Sequence, residues 1–176
     1  MEYVRVSGTF ELAGSVPNEL KENIVKAVES VHQTVFFEKD RPLKREVSQL
    51  DNEIARNIAK WGTPERNYCP FQDNRFEVDL AVVDKKLLIE IEKGNYPRLE
   101  LEIIKIASAC HQSPKKWRFG ALIVPSSYIE LRLAGRKPPF DYLERLKPLV
   151  QPIITRMVEG FLVVGYKDPR SEHAPT

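Results

Sequence analysis

The sequence predicts an α/β domain, a mixed β-sheet flanked by helices. Three observations predict it. Apolar residues recur at helical spacing through the first third of the chain. The period drops to two between Phe76 and Ile91, where two extended runs stand back to back. Helical and extended patterns then alternate as far as Tyr166, the signature of strands joined through helices.

The elements follow in order. Residues 1–12 alternate weakly, through Val4, Val6, Phe10 and Leu12, as a short strand or an extended arm. Pro17-Asn18-Glu19 suits a helix start, and Leu20, Ile24, Val25, Ala27, Val28 and Val31 form its apolar face. A second helix is expected from Pro42, a good first-turn residue, to Trp61. Its stripe is Val47, Leu50, Ile54, Ile58 and Trp61, and Gly62 ends it. Phe76, Val78 and Leu80 alternate with Glu77, Asp79 and Ala81, and Leu87–Ile91 is a second strand. Val83-Asp84-Lys85-Lys86 joins them as a hairpin, with Asp84 as a turn residue. After Gly94-Asn95 and Pro97, a helix carries Leu99, Ile103, Ile106, Ala107 and Cys110 on one side, with Ile104 beside them. Phe119–Val124 is an apolar strand closed by Pro125. Residues 140–159 read as helix, in two pieces broken near Pro148 and Pro152. Phe161–Tyr166 is the last strand, and a polar tail from Asp168 is expected to fray.

At 176 residues one compact domain is expected, with a sizeable core. The chain is 42% hydrophobic and 30% charged, which is globular rather than disordered composition. Its 27 basic and 25 acidic residues leave a net charge of +2, so any nucleic-acid surface must arise from local clustering. Cys69 and Cys110 lie far apart and His32, His111 and His173 are scattered. That argues against a zinc site and for two reduced thiols. No leader-like segment and no apolar run of membrane-spanning length stand out, so a soluble cytoplasmic protein is expected, with no membrane partner.

The chemistry concentrates in Phe76–Leu80 and Leu88–Lys93. Side chains alternate faces along a strand, so Glu90 and Glu92 share one face while Ile89, Ile91 and Lys93 share the other. Two neighbouring carboxylates in an apolar strand repel each other, and burying them unpaired is costly. A cation beside them removes the conflict. Asp79, inside the preceding strand rather than in its turn, can add a third oxygen ligand. A few carboxylates with water suit Mg²⁺ or Mn²⁺. The competing reading is an exposed strand face, with Glu90 paired to Lys85 or Lys86. Gly94 follows at once and permits close backbone approach.

An Asp on one strand, an acidic tripeptide on the next, then a helix and an apolar strand resemble the PD-(D/E)xK nuclease superfamily. The motif here is Asp79, then Glu90-Ile91-Glu92. Glu92 stands where the superfamily usually has lysine, a variant similar to the BamHI/BglII-type restriction endonucleases. Leu99–Lys105 and Phe119–Pro125 are also similar to that group. The resemblance covers roughly residues 43–166. It departs where Val78 replaces the proline before the Asp, and Lys93 is one residue beyond the usual lysine position.

The resemblance implies a restriction-endonuclease-like core and metal-dependent cleavage of DNA. Asp79, Glu90 and the backbone carbonyl of Ile91 would hold the metal, and Glu92 would orient or deprotonate the attacking water. Lys93 ranks below the acids, as a residue that bends in or contacts a phosphate. One more polar group from upstream is expected, with Asp51, Glu65 and Asn67 all open. A homodimer would cut both strands. Lys115, Lys116 and Arg118 surround Trp117 before the apolar strand, and Arg132, Arg136 and Lys137 follow it; these clusters are candidates for phosphate contact, with Trp117 stacking on a base. Lys105 either points to the metal site or faces solvent. The alternative functions are a non-cleaving DNA-binding or structural member of the same fold, and an unrelated interaction module.

Overall fold

The computed structural model describes residues 2–37, 49–71, 76–93, 98–126 and 138–169. Six strands form one mixed sheet: β1 (Arg5–Gly14), β2 (Pro64–Tyr68), β3 (Val78–Val82), β4 (Leu87–Ile91), β5 (Phe119–Pro125) and β6 (Gly160–Lys167). Their spatial order is β1-β6-β5-β4-β3-β2. The central strands β4, β5 and β6 run parallel. The outer pairs β1–β6, β2–β3 and β3–β4 are antiparallel.

Among the described residues, four α-helices cover this sheet. α1 (Asn18–Glu29) and α2 (Leu50–Ile58) pack on one face; α3 (Leu99–Gln112) and α4 (Pro139–Ile154) pack on the other. Parallel strands need crossovers, and α3 and α4 are those crossovers, from β4 to β5 and from β5 to β6. Both faces being covered explains the near-continuous apolar strands. All five residues of β4 are buried, Glu90 among them.

The two cores follow strand parity. Leu80, Val82, Leu87, Ile89 and Ile91 meet Leu50, Ile54 and Ile58 of α2. Ala81, Leu88, Leu122 and Val163 meet Leu99, Ile103 and Ile106 of α3. Fully burying a leucine or isoleucine of this kind stabilises by about 1.5–3 kcal/mol. Ile104, expected beside the apolar side of α3, is 57% exposed.

Several expectations change. Of the short strand or extended arm expected at the amino terminus, the structure has a strand, and a longer one of ten residues. It closes against β6 where Gly14 adopts φ 56° and Ser15 N–H donates to the Glu159 carbonyl over 2.9 Å. An added Cβ on Gly14 would lie 2.0 Å from that carbonyl oxygen, so glycine is required there. The second helix ends at Ile58 rather than Trp61, and its expected start at Pro42, with Val47, lies outside the described residues. β2 was not anticipated at all, because Pro64-Glu65-Arg66-Asn67-Tyr68 has no apolar alternation; it is a half-exposed edge strand.

α4 is continuous through Pro148 and Pro152. Both prolines are exposed and four residues apart, so they share the solvent side and their rings do not disturb the packed side. Asp168, expected at the start of a fraying tail, is fully buried. Asp84 is the turn residue expected of it. It sits in a short 3₁₀ turn, Val83–Lys85, and accepts the Thr63 N–H over 2.7 Å. Both cysteines are free thiols. Among the described residues no helix is long and apolar enough to cross a membrane.

Candidate metal and acid cluster at the end of the central strands

β3 and β4 pair with Leu80 opposite Ile89 and Ala81 opposite Leu88. Continuing that register sets Asp79 opposite Glu90. Asp79 does not continue the ladder passively: its Oδ2 accepts the Ile91 N–H over 2.7 Å. The carboxylate therefore sits at the end of the sheet, within electrostatic reach of acids on both faces. Its charge acts on Glu90 on the α3 side and on Asp51 on the α2 side.

On the α3 side, Glu90 is 6% exposed and Glu102 is 7% exposed. Lys105, one turn along α3 from Glu102, pairs with both carboxylates. Its Nζ also donates to the Glu77 carbonyl over 2.6 Å. Lys105 thus turns inward to the cluster, and Lys85 and Lys86 take no part in pairing Glu90. Burial, then the charges of Asp79 and Glu102, push the Glu90 carboxyl well above the ordinary carboxylate range, outweighing Lys105. Burial works against the Lys105 ammonium, but Glu90 and Glu102 more than compensate and hold it above the ordinary lysine value. Lys105 stays an ammonium, while Glu90 favours its protonated form.

On the α2 side stand Asp51 and Lys93. Lys93 has the parity of Ile89 and Ile91, so it leaves the strand on the α2 face and pairs with Asp51. Both side chains are largely buried, at 21% and 13% exposure for Lys93 and Asp51. Burial raises the Asp51 carboxyl to about 6; Lys93 opposes this, Asp79 adds to it, and Arg66 opposes it. Of the three upstream candidates, Asp51 is the one that reaches the cluster. Glu65 and Asn67 are exposed on β2, and Asn67 takes a positive φ of 48°.

Glu92 continues the strand pairing through its main chain. Its N–H donates to the Ile123 carbonyl over 2.8 Å, and its own carbonyl accepts from the Tyr166 hydroxyl over 3.0 Å. The charges that shift Glu90 come from Asp79, Glu102 and Lys105. The structure therefore sets Asp79 opposite Glu90, gives Lys93 a partner on the opposite face, turns Lys105 to the cluster rather than to solvent, and adds Glu102. Glu102 was missed because a glutamate in the first turn of a helix is ordinarily a surface residue. Its spacing to Lys105, and Leu99 and Ile103 beside it in the apolar side, were the signals available.

The donors suit a hard divalent ion: carboxylates alone, without thiolate or imidazole. Asp51 Oδ1 is buried and has no hydrogen-bond partner among the described residues. As they stand, however, no three acidic, His or Cys side chains among the described residues enclose a metal-sized space. Asp79 is engaged with Ile91 N–H and Glu90 with Lys105.

The expected basic surface divides. Arg118 is exposed but paired with Glu159, with Nε donating to Oε1 over 2.5 Å and a second bond completing the fork. Lys116 donates to the Tyr68 hydroxyl over 2.5 Å and lies over the Tyr68 and Trp117 rings at 5.2 and 5.3 Å. Lys115 is exposed. Trp117 is fully buried, packed edge-on against Tyr68, so it offers no face to a base; an indole is too large an apolar body to leave outside this core. Arg118 N–H and Phe119 N–H both bond the Lys86 carbonyl. That fixes Arg118 at the start of β4, four residues and roughly 13 Å of extended chain before Glu90. Arg132, Arg136, Lys137 and Gly94 lie outside the described residues.

Compared with known proteins, the chain matches no protein-family model and no curated protein sequence.

Proposed function

We propose that this protein is a metal-dependent endonuclease with a restriction-endonuclease-like core, hydrolysing DNA phosphodiester bonds at the cluster of Asp79, Glu90 and Lys105. One observation carries the reading. A buried glutamate at the end of a central strand faces an aspartate on the antiparallel neighbour, with an ammonium between strand and helix. An acid so crowded costs stability, and groups perturbed in this way concentrate at ligand and reaction sites. The order of elements agrees with the resemblance: hairpin, helix, parallel strand.

Asp79, Glu90 and the Ile91 carbonyl are the residues to hold Mg²⁺ or Mn²⁺, with Asp51 close enough to act on Asp79. Such an ion supplies Lewis-acid polarisation of the phosphate and a more acidic bound water. The chain's own contribution is positional. Ile91 N–H fixes the Asp79 carboxylate, Tyr166 and Ile123 fix the main chain at Glu92, and Lys105 holds Glu90. Glu92 stands at the end of the strand as the carboxylate to orient a water or accept its proton. DNA phosphates are candidates for Lys115 and Lys116, and two copies of the chain would cut both strands.

Supercoiled plasmid incubated with the purified protein and Mg²⁺ or Mn²⁺ tests this. Nicked or linear product is expected from the wild type and none from Glu90→Ala. Salt-dependent DNA retention without cleavage would instead favour a non-cleaving member of the fold, the reading motivated by Glu92 at the lysine position. Neither activity would overturn both.

A further inference from the structure

We propose that Lys105 is a tethered cation that occupies the acid cluster and competes with a divalent ion for Glu90. The inference rests on the nuclease reading and assigns Lys105 as a positioning residue for the metal ligands. Its geometry is specific. The Nζ of Lys105 meets Glu90 on β4, Glu102 one turn away on its own helix and the Glu77 carbonyl just before β3. The ammonium thereby meets oxygen acceptors on three segments, the two carboxylates as ion pairs and the carbonyl through a hydrogen bond. The side chain is 9% exposed, so little of this arrangement is left to solvent.

Of those acceptors, Glu102 and the Glu77 carbonyl can keep the ammonium when Glu90 is drawn to another cation. Lys105 then neutralises Glu102, which would otherwise be an uncompensated buried charge. The same arrangement already sets a positive charge against Glu90. It also places the cluster's lysine on α3, on the face Glu90 shares, whereas Lys93 leaves on the α2 face.

Competition predicts a sign that a structural lysine does not. Removing a structural lysine would weaken the site and its ion together. Removing a competitor tightens ion binding while the metal-free protein loses stability. Titration calorimetry with Mn²⁺ alone, on wild type, Lys105→Met and Lys105→Arg, reads this directly. Lys105→Met keeps the aliphatic stem and is expected to bind Mn²⁺ on the order of tenfold more tightly, the size of one unit of differential charge interaction. Lys105→Arg keeps the charge, spans both carboxylates with its fork and is expected to bind no more tightly than wild type. If Lys105→Met does not fold without metal, Mn²⁺-dependent refolding supports competition, and failure to refold with Mn²⁺ overturns it. Unchanged or weaker binding by Lys105→Met, beside a wild type that binds Mn²⁺ and cleaves, overturns this inference and leaves the nuclease reading intact. No Mn²⁺ binding in any of the three, with no cleavage, overturns both.

Discussion

Asp51 offers the sharpest test of the energetics of the cluster. Its carboxyl is raised from 3.8 to about 6, chiefly by burial and further by Asp79, against the pull of Lys93 and Arg66. A folded state that raises an acid's pKa binds that proton more tightly than the unfolded chain does. The stability this group contributes is therefore full below about pH 4 and is lost as pH rises through about 6. At neutral pH the loss amounts to about 3 kcal/mol. Asn is nearly isosteric with the protonated acid and does not titrate. Asp51→Asn is thus expected to match wild type in acid and to exceed it above pH 6, by a margin approaching about 3 kcal/mol. Urea denaturation of both proteins from pH 4 to pH 8, without divalent ions, measures that margin. A margin that stays flat with pH, or a mutant that is less stable at pH 7, would refute the reasoning. Either result would mean that the Lys93 pair dominates the burial of Asp51.

Other expectations concern the frame. Trp117→Ala removes a fully buried indole from the core beneath α3 and should cost about 3–5 kcal/mol in unfolding measurements, because the ring packs rather than stacks on nucleic acid. Gly14→Ala forces a side chain into a positive-φ position against the Glu159 carbonyl; a loss well above 1 kcal/mol is expected from the same denaturation assay. Arg118→Ala breaks an exposed ion pair and should leave the melting temperature unchanged while lowering DNA retention at low salt, if Arg118 contributes to the basic surface. A thiol reagent should label Cys69 rapidly in the native protein and Cys110 only on unfolding, since burial pushes the Cys110 thiol up to about 12 and shields it.

What could be read from the chain differs by element for physical reasons. β3, β4, β5 and β6 are buried on both faces, and double burial demands the apolar runs that make such strands visible. α1 and α3 were visible because one side of each is buried and the other wet. β2 was not, because an edge strand has few apolar positions to show and its formation depends on pairing with β3. α4 misled because a proline's local preference against helix was weighed without knowing which side it faced. In the cluster, Asp79 and Glu90 were legible from strand parity and spacing alone. Asp51 was one of three candidates, and only the packing of α2 beside Lys93 selects it. Lys105 and Glu102 come from a helix whose rotation about its axis no period specifies to within one side chain; the site they complete is a tertiary fact.

The outermost strands carry a consequence for assembly. An open sheet exposes unpaired backbone groups along its first and last strands and is liable to grow by adding strands. On one side here, Pro64 lacks a backbone donor and Asn67 takes a left-handed conformation, on a five-residue strand otherwise filled by Glu65, Arg66 and Tyr68. On the other, β1 slips register twice against β6, between Val6 and Gly8 and again between Glu11 and Ala13. Neither margin presents a flat, regular template. Self-association by continuing the sheet is therefore disfavoured at both ends, and a pair of chains would have to meet through helices or strand ends.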